Sequence, residues 1–212
     1  MVILIGNQKG GAGKSTFCLL LANYLTTVQE RVVTVLDMDY QQSLATKFEK
    51  AKILENQPLY EVVAAELHQF PALQKVFSKK PEELVLIDLP GKMDDDGLIP
   101  VFAAGELFIC PFGYDEFSVD STVLFAMVLR KINNLAPMLF IPNRIKATVR
   151  YDTRTEIEQA LRRFGVILPG LPDRIDFQRI STYQTPIALM PVVLSLMHII
   201  YEHYISKAED RP

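Results

Sequence analysis

Residues 9–16 read Lys-Gly-Gly-Ala-Gly-Lys-Ser-Thr and follow directly on a short apolar run. A loop of this kind has the chemistry of a phosphate cradle. Gly10, Gly11 and Gly13 carry no Cβ to obstruct backbone N–H groups converging on an anion, and they permit the backbone angles such a loop requires. Lys14 places a cation on the β and γ phosphates of a nucleotide. Ser15 offers a hydroxyl to Mg²⁺ where a helix begins and its dipole favours negative charge. Ala12 and Thr16 complete the stretch expected to touch the nucleotide. The general motif asks for glycine five residues before Gly13, and this sequence has Gln8 there. The loop is therefore a variant. Lys9 adds a second positive charge that one nucleotide does not obviously need.

Three carboxylates stand where they could serve that loop. Asp88 closes the apolar run Leu84-Val85-Leu86-Ile87, and Asp37 and Asp39 close another. Mg²⁺ takes hard oxygen ligands and keeps several waters, so few protein carboxylates suffice. Two acids at the end of one strand beside a phosphate loop would repel each other unless a cation sat near them.

These residues need a scaffold that gathers strand ends. The sequence predicts strands at Val2–Gly6, Val32–Asp37, Leu84–Leu89, Leu107–Pro111, Met138–Pro142 and Val166–Leu168. Helical stretches are predicted at about Ser15–Thr27 and Val119–Leu135. Continuous apolar strands separated by helices imply a parallel sheet covered on both faces. Ligands collect at the carboxyl ends of such strands, and the chemistry-bearing residues fall there. Pro81 and the Asp94–Asp96 run punctuate loops, and no repeat or linker interrupts the chain. The expectation is one α/β domain spanning 1–212, a P-loop NTPase with a mostly parallel twisted sheet and helices on both faces.

Composition narrows the functions. The chain has 212 residues, 49% of them hydrophobic and 22% charged, with a net charge of -3. That acidity argues against coating nucleic acid with the whole surface, yet residues 141–180 hold 8 Lys/Arg against 5 Asp/Glu. Cys18 and Cys110 lie in apolar stretches without metal-ligand spacing, and no signal peptide is seen, so a reducing cytoplasm is expected. Residues 187–205 are apolar, but Pro191, His198, Glu202 and His203 interrupt them. A buried helix explains the run better than a membrane span.

Lys9-Gly10-Gly11-Ala12-Gly13-Lys14-Ser15 resembles the loop of the ParA/MinD family of deviant Walker A ATPases. The resemblance runs from Met1 to about Pro186. It implies a homodimer formed on ATP binding, in which Lys9 reaches the nucleotide of the other subunit as an arginine finger would. Asp88, followed by Pro90 and Gly91, is similar to the family's Walker B carboxylate. Asp37-Met38-Asp39-Tyr40-Gln41 resembles its switch I element, Asp-x-Asp-Pro-Gln. On that match Asp39 orients or deprotonates the attacking water, and Asp37 lies near the Mg²⁺ shell with Ser15 and Asp88. Tyr40 stands where proline is common and loosens the expected backbone restraint. Asn143-Arg144 is similar to the adenine-contacting pair. Leu168-Pro169 and Asp173-Arg174 resemble the segment that closes over the base.

Family members differ in what they carry besides this core. Cys18 and Cys110 are not placed as cluster ligands of nitrogenase iron proteins, and the basic amphipathic C-terminus of MinD-like proteins is absent. The chain is similar instead to small ParA proteins that segregate plasmids and other mobile elements, with a fainter likeness to those of conjugative transposons. The resemblance implies non-specific DNA binding by the ATP dimer and a ParB-like partner that stimulates hydrolysis. A dethiobiotin-synthetase-like enzyme and an ATPase adaptor of a conjugation or secretion assembly without DNA contact are the alternatives.

Overall fold

Five apolar runs are too uniformly hydrophobic to leave either face in water, and each becomes an interior strand. The computed structural model describes residues 1–209. In chain order its main elements are β1 (Val2–Ile5), α1 (Lys14–Thr27), β2 (Val33–Asp37), α2 (Ser43–Ile53) and β3 (Glu61–Ala64). Then come α3 (Phe70–Phe77), β4 (Leu84–Asp88), α4 (Leu98–Ala104), β5 (Leu107–Phe112) and α5 (Glu116–Ile132). Last are β6 (Met138–Pro142), α6 (Arg154–Leu161), β7 (Val166–Ile167) and α7 (Met190–Ile200). All strand pairs are parallel, in the order β3-β2-β4-β1-β5-β6-β7.

The two-residue period of a strand divides the core between the faces. Ile3, Ile5, Leu84 and Leu86 pack with Phe17, Leu21, Leu25, Phe48 and Met197 on the side of α1, α2 and α7. Leu4, Val85 and Ile87 pack with Phe70, Val101, Phe102, Phe125 and Leu161 on the side of α3 to α6. The rings of Phe102 and Phe125 meet edge to face at 6.2 Å. Truncating Phe125 to alanine would cost about 3–5 kcal/mol, a large fraction of a typical domain's stability.

β1 lies between β4 and β5, with β2 beyond β4. The chain leaves β1 toward one side of the sheet and later crosses to the other, which opens a crevice at the carboxyl end of β1. That crevice receives the phosphate loop.

One element differs from expectation, and one follows it. β3 was not among the predicted strands; it is an edge strand with only Val62 of its four residues buried, so it offers no apolar run to read. The apolar segment Ile187–Ile205 is one continuous helix with a π-helical turn at Tyr201–Ile205, and by length and composition it could cross a membrane. Here Val193, Leu196, Met197, Ile200 and Ile205 are buried in the core. Ser195, His198, Glu202 and His203 face outward.

Candidate nucleotide-binding site

The loop after β1 is fixed at both ends by side-chain amides, one buried and one half-buried. Asn7 is fully buried, and its side-chain Nδ2 donates to the Pro111 carbonyl and to Thr122 Oγ1, each at 2.8 Å. Its Oδ1 accepts the Lys9 N–H at 3.1 Å. At the far end Asn143 Nδ2 donates to the Ala12 carbonyl at 2.8 Å, and Asn143 Oδ1 accepts the N–H of Arg144 at 2.9 Å. Between these anchors Gly11 and Gly13 adopt φ of 75° and 98°. A Cβ on Gly13 would stand 2.2 Å from Asn143 Nδ2, so glycine is required there twice over. Gly13 O then accepts the Phe17 N–H at 2.9 Å and α1 begins.

Lys14 is buried, and its amine lies 3.6 Å from where a Cβ of Gly91 would be. The phosphate-loop lysine therefore touches the loop after Asp88. Asp88 is fully buried at the end of β4, paired in register with Ile5 of β1 and Asp37 of β2. Neither of its oxygens meets a hydrogen-bond donor in good geometry. Burial, opposed by the nearby Ser15 hydroxyl and by Lys14 and reinforced by Asp37 and Asp39, pushes its pKa up to about 7. An unpartnered carboxylate beside a hydroxyl and a phosphate loop is the donor set a hard divalent cation completes. The residues present fit Mg²⁺ and a nucleotide phosphate.

Asp37 is equally buried but differently used. Its Oδ2 accepts the N–H groups of Leu44 and Ala45 at 2.9 and 3.0 Å, and its Oδ1 that of Asp39 at 3.3 Å. It caps the start of α2 and adds charge beside Asp88 without a free oxygen. Burial raises its pKa against those three N–H groups. Asp39 is held within its own loop: Oδ1 accepts the Gln41 N–H at 2.9 Å, and the residue lines a separate cleft of about 520 Å³ with Tyr40, Glu66, His68 and Asp95.

Lys9 points outward. Its side chain is 38% exposed, with Nζ 3.9 Å from Asp115 Oδ1 and 5.5 Å from the centre of the Phe117 ring, itself 74% exposed. Asp115 also caps α5 through the Ser118 N–H at 3.0 Å. A cleft of about 410 Å³ on this side is lined by Lys9, Gly10, Tyr114, Asn143, Arg144 and Tyr151.

A cleft of about 370 Å³ on the other side is lined by Gly13, Thr16, Asn143, Arg144, Asp173 and Phe177, among others. It can take a planar base beside the phosphate loop. The segment after β7 is tied to Arg144's neighbour, since Ile145 N donates to Leu171 O and Asp173 N to Ile145 O. Asp173 and Arg174 reach this cleft as the sequence suggested; Leu168 instead lies in the core. Arg144 holds φ of 56°, a strained angle for a side-chain-bearing residue, between the two clefts.

Half of the basic residues in the arginine-rich segment are paired with neighbouring acids. Arg150 pairs with Asp152, Arg154 and Arg162 with Glu158, and Arg174 with Asp176. Arg144, Lys146, Arg163 and Arg179 make no ion pair among the described residues. Cys18 and Cys110 are buried free thiols, and no cluster of metal-ligating side chains occurs among the described residues.

The structure thus gathers Gly10 to Thr16, Asn143, Arg144, Asp37 and Asp88 at one crevice and leaves Asp39 and Lys9 on its borders. Asn7 escaped the sequence reading; its signal was a lone amide at the end of an apolar strand, which must find buried partners.

The sequence pattern of the CobQ/CobB/MinD/ParA nucleotide binding domain matches residues 3–187. No curated protein matches. Among solved structures, Pyrococcus furiosus cell division ATPase MinD has a TM-score of 0.72 at 18% identity, over 94% of this chain and 97% of that one. A plasmid partition protein from Borrelia burgdorferi has a TM-score of 0.64 at 22% identity, over 91% and 99%. A Cyanothece McdA–ATP complex has a TM-score of 0.63 at 16% identity, over 84% and 85%. The fold of this chain is theirs.

Proposed function

We infer that this chain, which belongs to the CobQ/CobB/MinD/ParA nucleotide-binding family, is a cytoplasmic ATPase switch that dimerises on ATP and positions DNA cargo. The observation that carries the reading is Lys9. It flanks the cradle, yet its amine lies outside on an exposed aspartate and an exposed ring. A cation stationed there suits the nucleotide of a second copy better than its own.

The backbone N–H groups of Gly10 to Gly13 bind the phosphates, and Lys14 neutralises charge on the β and γ groups. Ser15 and Asp88 would hold Mg²⁺, with Asp37 adding negative field beside them, and Mg²⁺ bound there would supply charge neutralisation to the phosphates. Asn143, Arg144 and Thr16 border the base. Asp39 orients the attacking water once its loop turns onto the phosphates, and the partner's Lys9 stabilises charge building on the bridging oxygen. Dimerisation doubles any basic surface on one composite face, which favours duplex DNA. A ParB-like protein on the cargo would stimulate hydrolysis.

A second reading is an ATPase adaptor that docks a protein without touching DNA. The pairing of Arg150, Arg154, Arg162 and Arg174 with neighbouring acids favours it. Sizing the protein with ATP, ADP and no nucleotide tests the switch. A monomer under all three conditions would sink it. Retention on random duplex DNA at low salt, with ATP, separates the two readings: the adaptor leaves the DNA unbound while the dimer persists.

A further inference from the structure

Tyr40 is the departure that the nucleotide site leaves unexplained. It is 59% exposed, yet its hydroxyl donates to Asp95 Oδ2 at 3.3 Å across the gap between two loops. One loop runs from Asp37 into α2; the other runs from Asp88 into α4.

Each end of this contact is rooted in the site. On the Tyr40 side, Asp39 N donates to Asp37 Oδ1, Gln41 N donates to Asp39 Oδ1, and Met38 N donates to Asp88 O at 3.0 Å. On the Asp95 side, Oδ1 accepts the Gly97 N–H at 2.8 Å, and the Asp95 carbonyl accepts the Leu98 N–H at 3.0 Å, the first residue of α4. Asp95 thus belongs to the start of a helix, while Tyr40 belongs to a loop whose other holds run within itself or back to Asp37 and Asp88, so the Tyr40 hydroxyl is what joins it to the Asp95 turn. Partial burial and the charges of Asp95, Asp94 and Asp39 raise the phenol pKa, so it remains a donor at neutral pH.

We propose that Tyr40 is a positioning residue for hydrolysis: its bond to Asp95 ties the loop carrying Asp39 to the loop that follows Asp88. The proposal rests on reading this site as an ATPase. A proline at position 40 would restrain the loop covalently and permanently. A tyrosine restrains it by one bond that a shift of the Asp95 loop can break or remake. The cleft of about 520 Å³ between Met38–Tyr40, Ala65–His68 and Asp95–Gly97 leaves the loop room to move. Asp39 is then presented to the phosphates only when both loops are in register.

The test compares Tyr40→Phe, which removes only the hydroxyl, with Asp95→Ala, Asp95→Asn and the Tyr40→Phe/Asp95→Ala double variant. A single net hydrogen bond predicts that Tyr40→Phe and Asp95→Ala each lower kcat about threefold to tenfold, with KM for ATP and ATP-dependent dimerisation within about twofold of wild type. Asp95→Asn keeps an acceptor oxygen and should retain kcat within about twofold of wild type. The double variant should be no worse than either single. Hydrogen exchange read without nucleotide should quicken at both residues 38–42 and residues 94–97 in Tyr40→Phe. Normal kcat in Tyr40→Phe, or faster exchange confined to its own loop, overturns the tether. If the wild-type protein neither hydrolyses ATP nor dimerises on it, the ATPase reading falls, and the exchange measurement still decides whether the loops are tied.

Discussion

The side-chain amide of Asn143 donates to the carbonyl of Ala12 across 131 positions of sequence, at 2.8 Å. It welds the end of β6 to the phosphate loop, at the spot where Gly13 has no room for a side chain. In this conformation the amide is committed to the loop, and its other atom to Arg144. Asn143 shapes the cradle before any base arrives.

Asn143→Ala should therefore weaken nucleotide binding even when the base is changed. One lost hydrogen bond to a constrained loop predicts about a fivefold to tenfold rise in Kd, similar for ATP and GTP. Gly13→Ala should be worse, about 100-fold, because φ of 98° and the Asn143 amide both oppose a methyl group. Adding Asn143→Ala to it should restore only part of the loss, since the backbone angle stays strained. Fluorescent-nucleotide titration reads all three. Full rescue by the double variant would mean that the angle is not limiting.

The two lysines should separate cleanly. Lys14→Ala removes the buried cation of the cradle and should abolish ATP binding. Lys9→Ala should bind ATP within about threefold of wild type, because its amine lies outside, but lower kcat at least about 100-fold or lose the ATP dimer. Equilibrium binding and sedimentation with ATP distinguish these outcomes. Normal hydrolysis by Lys9→Ala would contradict a role across subunits.

Asp88 should act against stability and for function. Its carboxyl is buried without a partner, so Asp88→Asn should stabilise the nucleotide-free protein by about 2 kcal/mol at pH 8 while removing Mg²⁺-dependent ATP binding. The sign in pH follows from a folded pKa near 7, above the unfolded value. Between the ordinary carboxylate range and pH 7 the folded state holds the extra proton, so this residue's contribution worsens as pH rises through that window. Urea midpoints of wild type and Asp88→Asn should converge on acidification from pH 8 to pH 5. Constant separation across that range would count against the buried charge.

Glu158 should behave in the opposite sense. Burial works against its charge, but Tyr114 donates to it at 2.6 Å and Arg154 and Arg162 flank it, leaving its pKa below the usual carboxylate range. Its stabilising effect is complete above the unfolded carboxylate pKa and fades as pH falls through the folded one. Glu158→Gln should cost about 1 kcal/mol at neutral pH, and less in acid. Denaturant unfolding at pH 7 and pH 3 checks this.

Much of this arrangement was legible beforehand because it depends on short-range requirements. Gly11 and Gly13 announce a backbone that other residues resist, and Lys14 and Ser15 sit at fixed offsets from them. Leu84 to Asp88 needed no partner to be read as a buried strand with a carboxylate at its tip. β3 was missed because an edge strand buries one side chain in four and borrows its order from β2. The hydrogen bonding of Asp37 was not legible, since nothing local announces that the Leu44 and Ala45 N–H groups will donate to it. Asn7 was missed for a related reason: its partners, Pro111 and Thr122, lie more than 100 positions away.

That buried amide has a mechanical corollary. Because Asn7 grips the carbonyl at the end of β5, the hydroxyl of Thr122 inside α5 and the N–H of Lys9, these three cannot drift independently without stranding a polar group in the dry interior. The outer helix, the end of β5 and the entrance of the phosphate loop therefore meet at a single buried side chain.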